Sequence, residues 1–281
     1  MGPLSYFATA SYLSLLGSLN RNRGIVVLMY HRIRDDMPGG PLIVPSKVFR
    51  EQMRYLARYT DVIGVRQLLH YYTENKPIPS SPKPMVAITI DDGYRDTFVN
   101  AFPVLKEFNL QATVFLATDF IGTGKKMARY SHLPGVDMLS WEEVQTMLKS
   151  GLISFAAHTQ SHPDLSKLIY TQQRNEITGS IRHVQEHIAD EVAQFVFCYT
   201  YGRYNGDTLR ILKEAGIKLA FTVQYGWNTG KEHPLELKRI CADGSYPMSD
   251  FMRRLNPMPE WLQWRLDCVR DFYRKKLKKK L

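Results

Sequence analysis

The sequence predicts an α/β fold in which helices cover a parallel sheet, and two observations favour closure of that sheet into a barrel. Short apolar runs alternate with amphipathic segments along about 220 residues, as in consecutive strand–helix units. About seven such units fit a barrel better than an open sheet, because barrels of this class are about 250 residues long. Length alone does not decide between one large domain and two smaller ones in a chain of 281 residues.

Each predicted element rests on a local pattern. Strands are predicted where β-branched and apolar residues run together, and helices where apolar residues recur at spacings of three and four. Ser140 and Glu143 form a capping-box pattern for a helix that Gly151 ends, and Ser46 is predicted to cap another helix. The predicted elements are strand 24–31, helix 46–59, strand 61–63, helix 65–72, strand 85–88, helix 94–108, strand 112–117, the helix before Gly151, strand 152–157, helix 171–189, strand 194–199, helix 207–215, strand 218–223 and strand 236–241.

The net charge of +10 is concentrated at one end of the chain. Residues 251–281 hold ten Lys and Arg against three Asp and Glu, which places +7 of the +10 there. Such an end favours an anionic partner. We expect membrane lipid rather than nucleic acid, because a protein that reads nucleic acid would spread its charge over the domain.

The cysteines and the start of the chain bear on the compartment. Cys198, Cys241 and Cys268 lie far apart without paired spacing, so neither a disulfide framework nor a cysteine metal site is predicted. Arg21 and Arg23 follow the apolar start of the chain, whereas a secretory signal has the opposite order. We therefore expect a cytoplasmic protein, peripheral at the inner face of the cell membrane if its basic end binds lipid.

The chain divides into three predicted parts, with a barrel at 24–255 between two helical extensions. Residues 1–23 fit a short amphipathic helix that lies on a membrane or, equally well, packs on the core. Residues 256–281 fit an amphipathic helix whose last turns are ringed by basic side chains. That basic end is either simply solvated, where it suits the helix dipole, or attached to an anionic membrane.

Polar side chains close several of the predicted strands: His31, the pair Asp91-Asp92, His158 and the segment 199–201. Because the active site of a parallel α/β fold lies at the carboxyl ends of its strands, we expect these side chains to share one mouth. Alone, Asp91-Asp92 before a glycine is more often an ordinary turn between strand and helix.

His158 and His162 add metal-binding character to that mouth. Two histidines four residues apart can present their rings to one ion, and one carboxylate of the aspartate pair would complete a site with open positions for water and substrate. Two histidines that cap a helix or bond backbone carbonyls are the structural alternative. Thr159 excludes the His-Glu-x-x-His pattern of zinc proteases, and no glycine-rich phosphate loop is present. The chemistry that remains is metal-assisted hydrolysis.

Seven short motifs follow one another through the predicted barrel. They are Tyr30-His31-Arg32-Ile33, Phe49-x-x-Gln52-Met53, Thr89-x-Asp91-Asp92-Gly93, Leu139-Ser140-Trp141, His158-Thr159-x-x-His162-Pro163, Phe197-x-Tyr199-x-Tyr201-Gly202 and Leu237-x-Arg239-Ile240. Together, and in this order, they resemble the polysaccharide deacetylases of the NodB-homology type, carbohydrate esterase family four. The resemblance implies a distorted (β/α)7-type barrel that removes an N-linked acetyl group from a sugar, with zinc or a similar divalent ion.

The resemblance also implies roles for individual residues. It makes Asp91 the general base, Asp92, His158 and His162 the metal ligands, and the backbone N–H of Tyr201 a donor to the tetrahedral oxyanion. These roles agree with the chemistry, because a bound divalent ion lowers the pKa of water to about 7 and a neighbouring carboxylate can then accept its proton.

This sequence departs from the family pattern in three places. Thr200 replaces the usual proline, which predicts a less rigid loop. The usual third-motif arginine is missing, so Arg239 either steadies Asp91 by a charge-assisted bond or only closes a salt bridge at the barrel rim. The Leu-x-x-His segment that supplies the acid in many relatives is also missing. His31 is the first candidate for that acid, with a buried core histidine as the alternative, and His233 is a weaker candidate.

The expected substrate is an N-acetylated amino sugar in a polysaccharide or a lipid-linked glycan. Two alternatives remain open from the sequence. The same barrel could hydrolyse another non-peptide C–N bond, or the chain could be a noncatalytic homologue that binds glycan.

Overall fold

The strands of one parallel sheet organise the computed structural model, which describes residues 24–74, 76–127 and 137–255. The strands are β1 (Ile25–Tyr30), β2 (Arg32–Ile33), β3 (Ile43–Val44), β4 (Asp61–Val62), β5 (Met85–Ile90), β6 (Ala112–Leu116), β7 (Ile153–Ala157), β8 (Val196–Cys198), β9 (Leu219–Phe221) and β10 (Ile240–Cys241). Within these ranges the sheet runs in the order β10, β1, β5, β6, β7, β8, β9, with β4 beside the start of β5. The short strands β2 and β3 pair separately.

Helices alternate with these strands along the chain. They are α1 (Ser46–Tyr59), α2 (Val65–Thr73), α3 (Phe102–Glu107), α4 (Trp141–Lys149), α5 (Tyr170–His187), α6 (Glu191–Phe195), α7 (Gly206–Glu214) and α8 (Met248–Leu255). None of the helices in the described ranges is long and apolar enough to span a bilayer.

The two ends of the sheet order meet at residues 237–241. On one side, the Leu237 N–H donates to the Ala220 carbonyl at 3.0 Å, and the Leu237 carbonyl accepts from the Thr222 N–H at 2.9 Å. On the other side, β10 pairs in parallel with Leu28 and Met29 of β1. The sheet therefore curls round on itself, and the predicted fold class, a distorted (β/α)7-type barrel of parallel strands, is confirmed.

Burial explains why the central strands could be recognised from sequence. All six residues of β1 and all six of β5 are buried, because side chains leave a strand on alternate faces and both faces are covered. Leu28 packs in the same cluster as Phe49 of α1, outside the barrel. Val27 belongs to a second cluster with Phe115 of β6 and Phe221 of β9, inside it.

Several predicted elements have different bounds in the structure. The strands predicted over 218–223 and 236–241 are shorter, at Leu219–Phe221 and Ile240–Cys241. Segment 194–199 was predicted as strand, but only Val196–Cys198 is extended. Asp190 accepts a hydrogen bond from the Val192 N–H at 2.7 Å and starts α6 directly before β8. The helix predicted over 94–108 begins at Thr97, with one π-helical turn over Thr97–Ala101 that continues into α3.

The two predicted helix caps have different outcomes. The capping box of α4 is confirmed, because the Glu143 N–H donates to Ser140 Oγ and the Ser140 N–H donates to Glu143 Oε2. The predicted cap at Ser46 is wrong. Pro45 occupies the cap position, and the Ser46 N–H donates to Asp35 Oδ1 at 2.8 Å, so a distant carboxylate satisfies the helix start.

The predicted helices at 1–23 and 256–281 lie outside the described residues, as does Cys268. The boundaries of the three predicted parts therefore stay predictions.

Candidate active site

The carboxyl ends of β5 and β7 bring three predicted metal ligands together. Asp92 Oδ1 lies 3.1 Å from His162 Nε2 and 3.5 Å from His158 Nε2. Asp92 and His158 are buried, and the side chain of His162 is almost so. The three donor atoms lie within 4.8 Å of one another.

This donor set fits a divalent metal ion. The His158 Nδ1–H donates to the Cys198 carbonyl at 2.8 Å, which leaves the lone pair of Nε2 facing Asp92. Asp92 Oδ1 is buried and, among the described residues, has no hydrogen-bond partner of acceptable geometry, although the two imidazoles are close. An orphaned buried carboxylate oxygen is costly, and an ion between it and the two nitrogens would remove that cost. One oxygen and two nitrogens are ligands that zinc and its first-row neighbours accept.

Left-handed backbone conformations shape this site. Among the described residues, five non-glycine residues have positive φ, and four of them are here: Asp92 at 77°, Thr159 at 64°, His162 at 60° and Tyr201 at 57°. Such conformations are costly and persist only where surrounding contacts hold them, which is typical of functional sites. In a regular strand Asp91 and Asp92 would point to opposite faces, and the left-handed turn at Asp92 is the local departure from that pattern.

Arg239 binds the carboxylate of Asp91 with both of its terminal nitrogens. The distances are 2.7 Å from Nη1 to Oδ1 and 2.8 Å from Nη2 to Oδ2, and both side chains are buried. Arg239 Nε also donates to the Thr222 carbonyl at 2.8 Å, which fixes the guanidinium. Of the two alternatives for Arg239, the structure has the contact with Asp91 and not an exposed bridge at the rim.

The Arg239 contact decides the charge of Asp91. Burial alone would raise the pKa of the Asp91 carboxyl, but the charge and hydrogen bonds of Arg239 outweigh it and hold the pKa below its usual value. Asp91 is therefore a carboxylate that is able to accept a proton.

A second group of possible ligands, Asp91, His158 and Cys198, also lies close together. It suits a metal less well. Both oxygens of Asp91 already accept from Arg239, and Arg239 Nη2 also lies 3.1 Å from Cys198 Sγ. Burial raises the pKa of the Cys198 thiol, whereas a metal ligand must be the thiolate.

The structure brings His31 to the aspartate pair but not His233. His31 Nε2 lies 3.9 Å from Asp91 Oδ2, and its buried Nδ1 has no hydrogen-bond partner among the described residues. Burial lowers the pKa of His31 despite the two nearby carboxylates. His233 instead accepts from the Leu235 N–H and lies 3.7 Å from Glu236, within its own turn.

Tyr201 lies at the open side of the donor set. It is 41% exposed, and its ring stands edge-on to the His162 ring with centroids 4.8 Å apart. A cavity of about 90 Å³ opens here, far smaller than the pockets that hold drug-sized ligands. Its lining consists of Asp92, Tyr94, Phe120, Met127, Ser161, His162 and Tyr201. The sequence patterns did not single out Tyr94, Phe120 or Met127, which reach the cavity from loops and carry no motif chemistry of their own.

Thr200 links two loops of the site. It is buried, and its hydroxyl donates to the Pro163 carbonyl next to His162. Arg203 and Asp164 add a second bridge between the same loops at 2.7 Å. The sequence predicted a less rigid loop because Thr200 replaces the usual proline. In the structure, the Thr200 hydroxyl makes a hydrogen bond to the neighbouring loop that a proline could not make.

This parallel barrel holds one carboxylate and two imidazoles at the carboxyl ends of its strands. It is therefore a barrel protein with a candidate site for one metal ion. Residues 79–220 of this chain match the family model for polysaccharide deacetylase. YxkH of Bacillus subtilis (strain 168), classed with the polysaccharide deacetylases, is 30% identical over 216 residues, which cover 76% of this chain and 70% of YxkH. The chain belongs to the polysaccharide deacetylase family, and the family and enzyme class that the motifs predicted are confirmed.

Two further similarities fit this assignment. The poly-β-1,6-N-acetyl-D-glucosamine N-deacetylase of Staphylococcus aureus (strain MRSA252) is 27% identical over 204 residues, or 70% of this chain and 67% of that enzyme. The solved structure of the deacetylase PplD from Streptococcus pyogenes, in complex with acetate, shares the fold. Its TM-score is 0.70 at 24% identity, with 83% of this chain and 99% of PplD covered.

Proposed function

We propose that this chain is a metal-dependent hydrolase that removes the N-acetyl group from an N-acetylated amino sugar in a polysaccharide or lipid-linked glycan. The observation that carries the proposal is the division between two adjacent carboxylates. Asp92 faces His158 and His162, while Asp91 is held ionised by Arg239. The name of the S. aureus relative supports an N-acetylglucosamine polymer as the substrate class.

The proposed ligands are Asp92 Oδ1 and the Nε2 atoms of His158 and His162, and zinc is the ion that we propose. Such an ion, when bound, acidifies a water molecule and polarises the acetyl carbonyl. Asp91 accepts the proton of the attacking water, and Arg239 keeps its carboxylate ionised and oriented.

The reaction breaks the bond between the acetyl carbon and the sugar nitrogen, and the products are acetate and a free amine. We assign stabilisation of the oxyanion to the backbone N–H of Tyr201, the residue whose ring stands edge-on to the His162 ring. The departing nitrogen needs a proton, and we assign its delivery to His31, because His31 Nε2 lies 3.9 Å from Asp91 Oδ2 and His31, unlike the nearby His158, is not one of the proposed metal ligands. The cavity beside Tyr201, at about 90 Å³, is large enough for an acetyl group, and in this proposal the sugar would lie outside it.

Metal content and acetate release from N-acetylglucosamine oligomers test this proposal together. Asp91→Asn should keep full zinc occupancy while acetate release falls by about 10²- to 10⁴-fold, which is the usual contribution of a general base. Asp207→Asn, at the exposed start of α7, is the matched control and should behave as wild type. A metal-free protein that still binds the oligomers would support the noncatalytic alternative, and amine release from other amides but not from these sugars would support hydrolysis of another C–N bond.

We further propose that residues 256–281 hold the protein at the anionic inner face of the cell membrane, on the strength of their basic composition. Each basic residue near such a surface contributes about 1 kcal/mol. In vesicle flotation the full chain should bind anionic vesicles and not neutral ones. Equal binding to both kinds, or to neither, would contradict this electrostatic attachment.

A further inference from the structure

Helix α5 carries a carboxylate that contacts the histidine loop, residues 158–162, and that takes no part in the proposed chemistry. Glu176 Oε2 accepts hydrogen bonds from the backbone N–H groups of Gln160 and Ser161, both at 2.9 Å. Its other oxygen, Oε1, accepts from Ser161 Oγ at 2.6 Å. One side chain therefore binds three donors of the segment that joins His158 to His162.

The opposite side of the same loop is held by the chain after β6. The Thr118 N–H donates to the Thr159 carbonyl at 3.1 Å, and the Asp119 N–H donates to the Gln160 carbonyl at 3.0 Å. The carbonyl groups of the loop thus bind the barrel side, while its N–H groups bind Glu176 of α5. The loop is therefore fixed by hydrogen bonds on both sides, to the chain after β6 and to α5.

The loop needs such support because it contains two left-handed residues, Thr159 and His162. The His162 N–H bonds Thr159 Oγ1 at 3.1 Å, but this local bond does not connect the loop to any other element. Left-handed conformations of these residue types persist only where the surroundings fix them. Without Glu176, the N–H groups of Gln160 and Ser161 would lose their protein partner.

A second observation shows how closely α5 approaches the loop. Gly179 lies one helical turn after Glu176, and a β-carbon at Gly179 would be 1.5 Å from Gln160 Oε1. The Gln160 side chain therefore lies directly across the helix backbone. Glu176 therefore binds the middle of the loop, and Gly179 leaves the space that the Gln160 side chain occupies.

We propose that Glu176 is a positioning residue for the metal ligand His162. By fixing the backbone of Gln160 and Ser161, it sets the place from which His162 Nε2 reaches Asp92 Oδ1 at 3.1 Å. This inference rests on the proposed function, because it concerns the site that would hold the metal. It adds that the geometry of the metal site is set in part from a helix outside the barrel.

Three substitutions separate position from charge. Glu176→Asp keeps the charge but is one methylene too short to reach both N–H groups. Glu176→Gln removes the charge but keeps the length, and its amide oxygen can still accept from both N–H groups. Glu176→Ala removes both properties. Glu186→Ala, exposed on the same helix, is the matched control for loss of an acidic residue.

The first measurement needs no metal. Amide hydrogen exchange of Gln160 and Ser161 in the metal-free protein should be slow in wild type, Glu176→Gln and Glu186→Ala. It should be at least tenfold faster in Glu176→Asp and Glu176→Ala, since exchange reports local opening. Thermal unfolding of the same samples shows whether each variant is folded.

The second measurement uses Zn²⁺ affinity by chelator competition and the visible absorption of bound Co²⁺. Glu176→Asp and Glu176→Ala should bind Zn²⁺ about 10- to 100-fold more weakly, as is usual when an outer partner of a ligand is lost, and should show an altered Co²⁺ spectrum. Glu176→Gln should restore most of the affinity. Wild-type affinity in the Asp and Ala variants, or a Gln variant as weak as Ala, would overturn the inference while leaving the proposed function intact. A wild type that does not bind Zn²⁺ would overturn both.

Discussion

Arg239 and Asp91 form a bidentate ion pair, with N–O distances of 2.7 and 2.8 Å, between residues 148 positions apart in the chain. Asp91 follows β5, and Arg239 directly precedes β10, the strand that pairs with β1 at the end of the sheet order. The pair therefore exists only once the sheet has curled. Both partners are buried. If one of them were removed, the other would be a buried charge without compensation, which is far more costly than the pair itself.

Arg239→Lys should impair catalysis more than binding. An ammonium group keeps the positive charge but cannot form two parallel bonds to one carboxylate, so Asp91 would lose its fixed orientation. We expect kcat for acetate release to fall by about a hundredfold, the usual effect of a small misplacement at a reacting group, with KM little changed. Steady-state kinetics on N-acetylglucosamine oligomers at full zinc occupancy would measure this.

The control for that experiment is Arg210→Lys, in an exposed ion pair with Glu214 at 2.8 Å. It should leave kcat unchanged, since exposed pairs contribute little. A wild-type kcat for Arg239→Lys would show that the second guanidinium bond is unimportant for the base.

Metal removal should distinguish the two groups of possible ligands that share His158. If Asp92, His158 and His162 hold the ion, His162→Ala should lose zinc while Cys198→Ala should keep it. For wild type, zinc at a hundred times its Kd should stabilise the fold by about 2.7 kcal/mol, and a chelator should abolish this gain.

Thermal unfolding with and without zinc provides the measurement. The zinc-dependent rise in Tm should be present in wild type and in Cys198→Ala and absent in His162→Ala. The reverse pattern would assign the ion to the group that contains Asp91 and Cys198.

Cys241 should react slowly with alkylating agents because its thiolate is disfavoured. Burial raises the pKa of Cys241 to about 11, the nearby charge of Asp243 adds to this, and Arg239 and Arg254 oppose it. A raised pKa means less thiolate at any pH below 11. At pH 8 the rate with iodoacetamide should therefore be about two orders of magnitude below that of a free cysteine, whose pKa is about 8.5.

The rate should then rise about tenfold for each pH unit and level off near pH 11. A Cys268→Ser background removes the third cysteine, and the fully buried Cys198 should stay unmodified. A plateau already reached near pH 9 would show that the Cys241 thiol is not perturbed.

Parallel topology explains why much of the fold and the placement of the site residues could be predicted from sequence. Strands buried on both faces, such as β1 and β5, are almost unbroken apolar runs, and polar residues at their carboxyl ends must meet at one mouth. That reasoning alone brings Asp92 to His158. The family resemblance then separated the roles of Asp91 and Asp92, which spacing alone could not do.

Long-range contacts explain what the sequence left open. The choice between two partners for Arg239 depended on how residues 237–241 bridge β9 and β1, which no local pattern reports. Glu176 looked like one polar residue among many on α5, because two of its three donors are backbone N–H groups, and backbone groups leave no mark in a sequence. Segment 194–199 was predicted as strand from its apolar run alone. Asp190, which caps helix α6, lies before that run and was not considered with it.

Two glycines with similar backbone angles should respond very differently to alanine. Gly202 has φ 63° and Gly151 has φ 72°. Alanine at either position would have to adopt a left-handed conformation, which destabilises the fold by about 1 to 2 kcal/mol. At Gly151 a β-carbon would have no neighbour within 4 Å in the described part of the chain, whereas at Gly202 it would lie 2.4 Å from Val223 Cγ2 and 2.7 Å from the Val223 backbone nitrogen. A backbone atom cannot rotate away, so Gly202→Ala must displace the loop that carries Tyr201.

We therefore expect Gly151→Ala to lower the free energy of unfolding by about 1 to 2 kcal/mol with kcat unchanged, because only the local conformation is strained. Gly202→Ala should lower it further and reduce kcat, since Tyr201 stands against His162 at the proposed metal site. Urea unfolding and acetate release, measured on the same two variants, would test both statements. Equal kcat values in the two variants would show that the position of the Tyr201 loop does not limit the reaction.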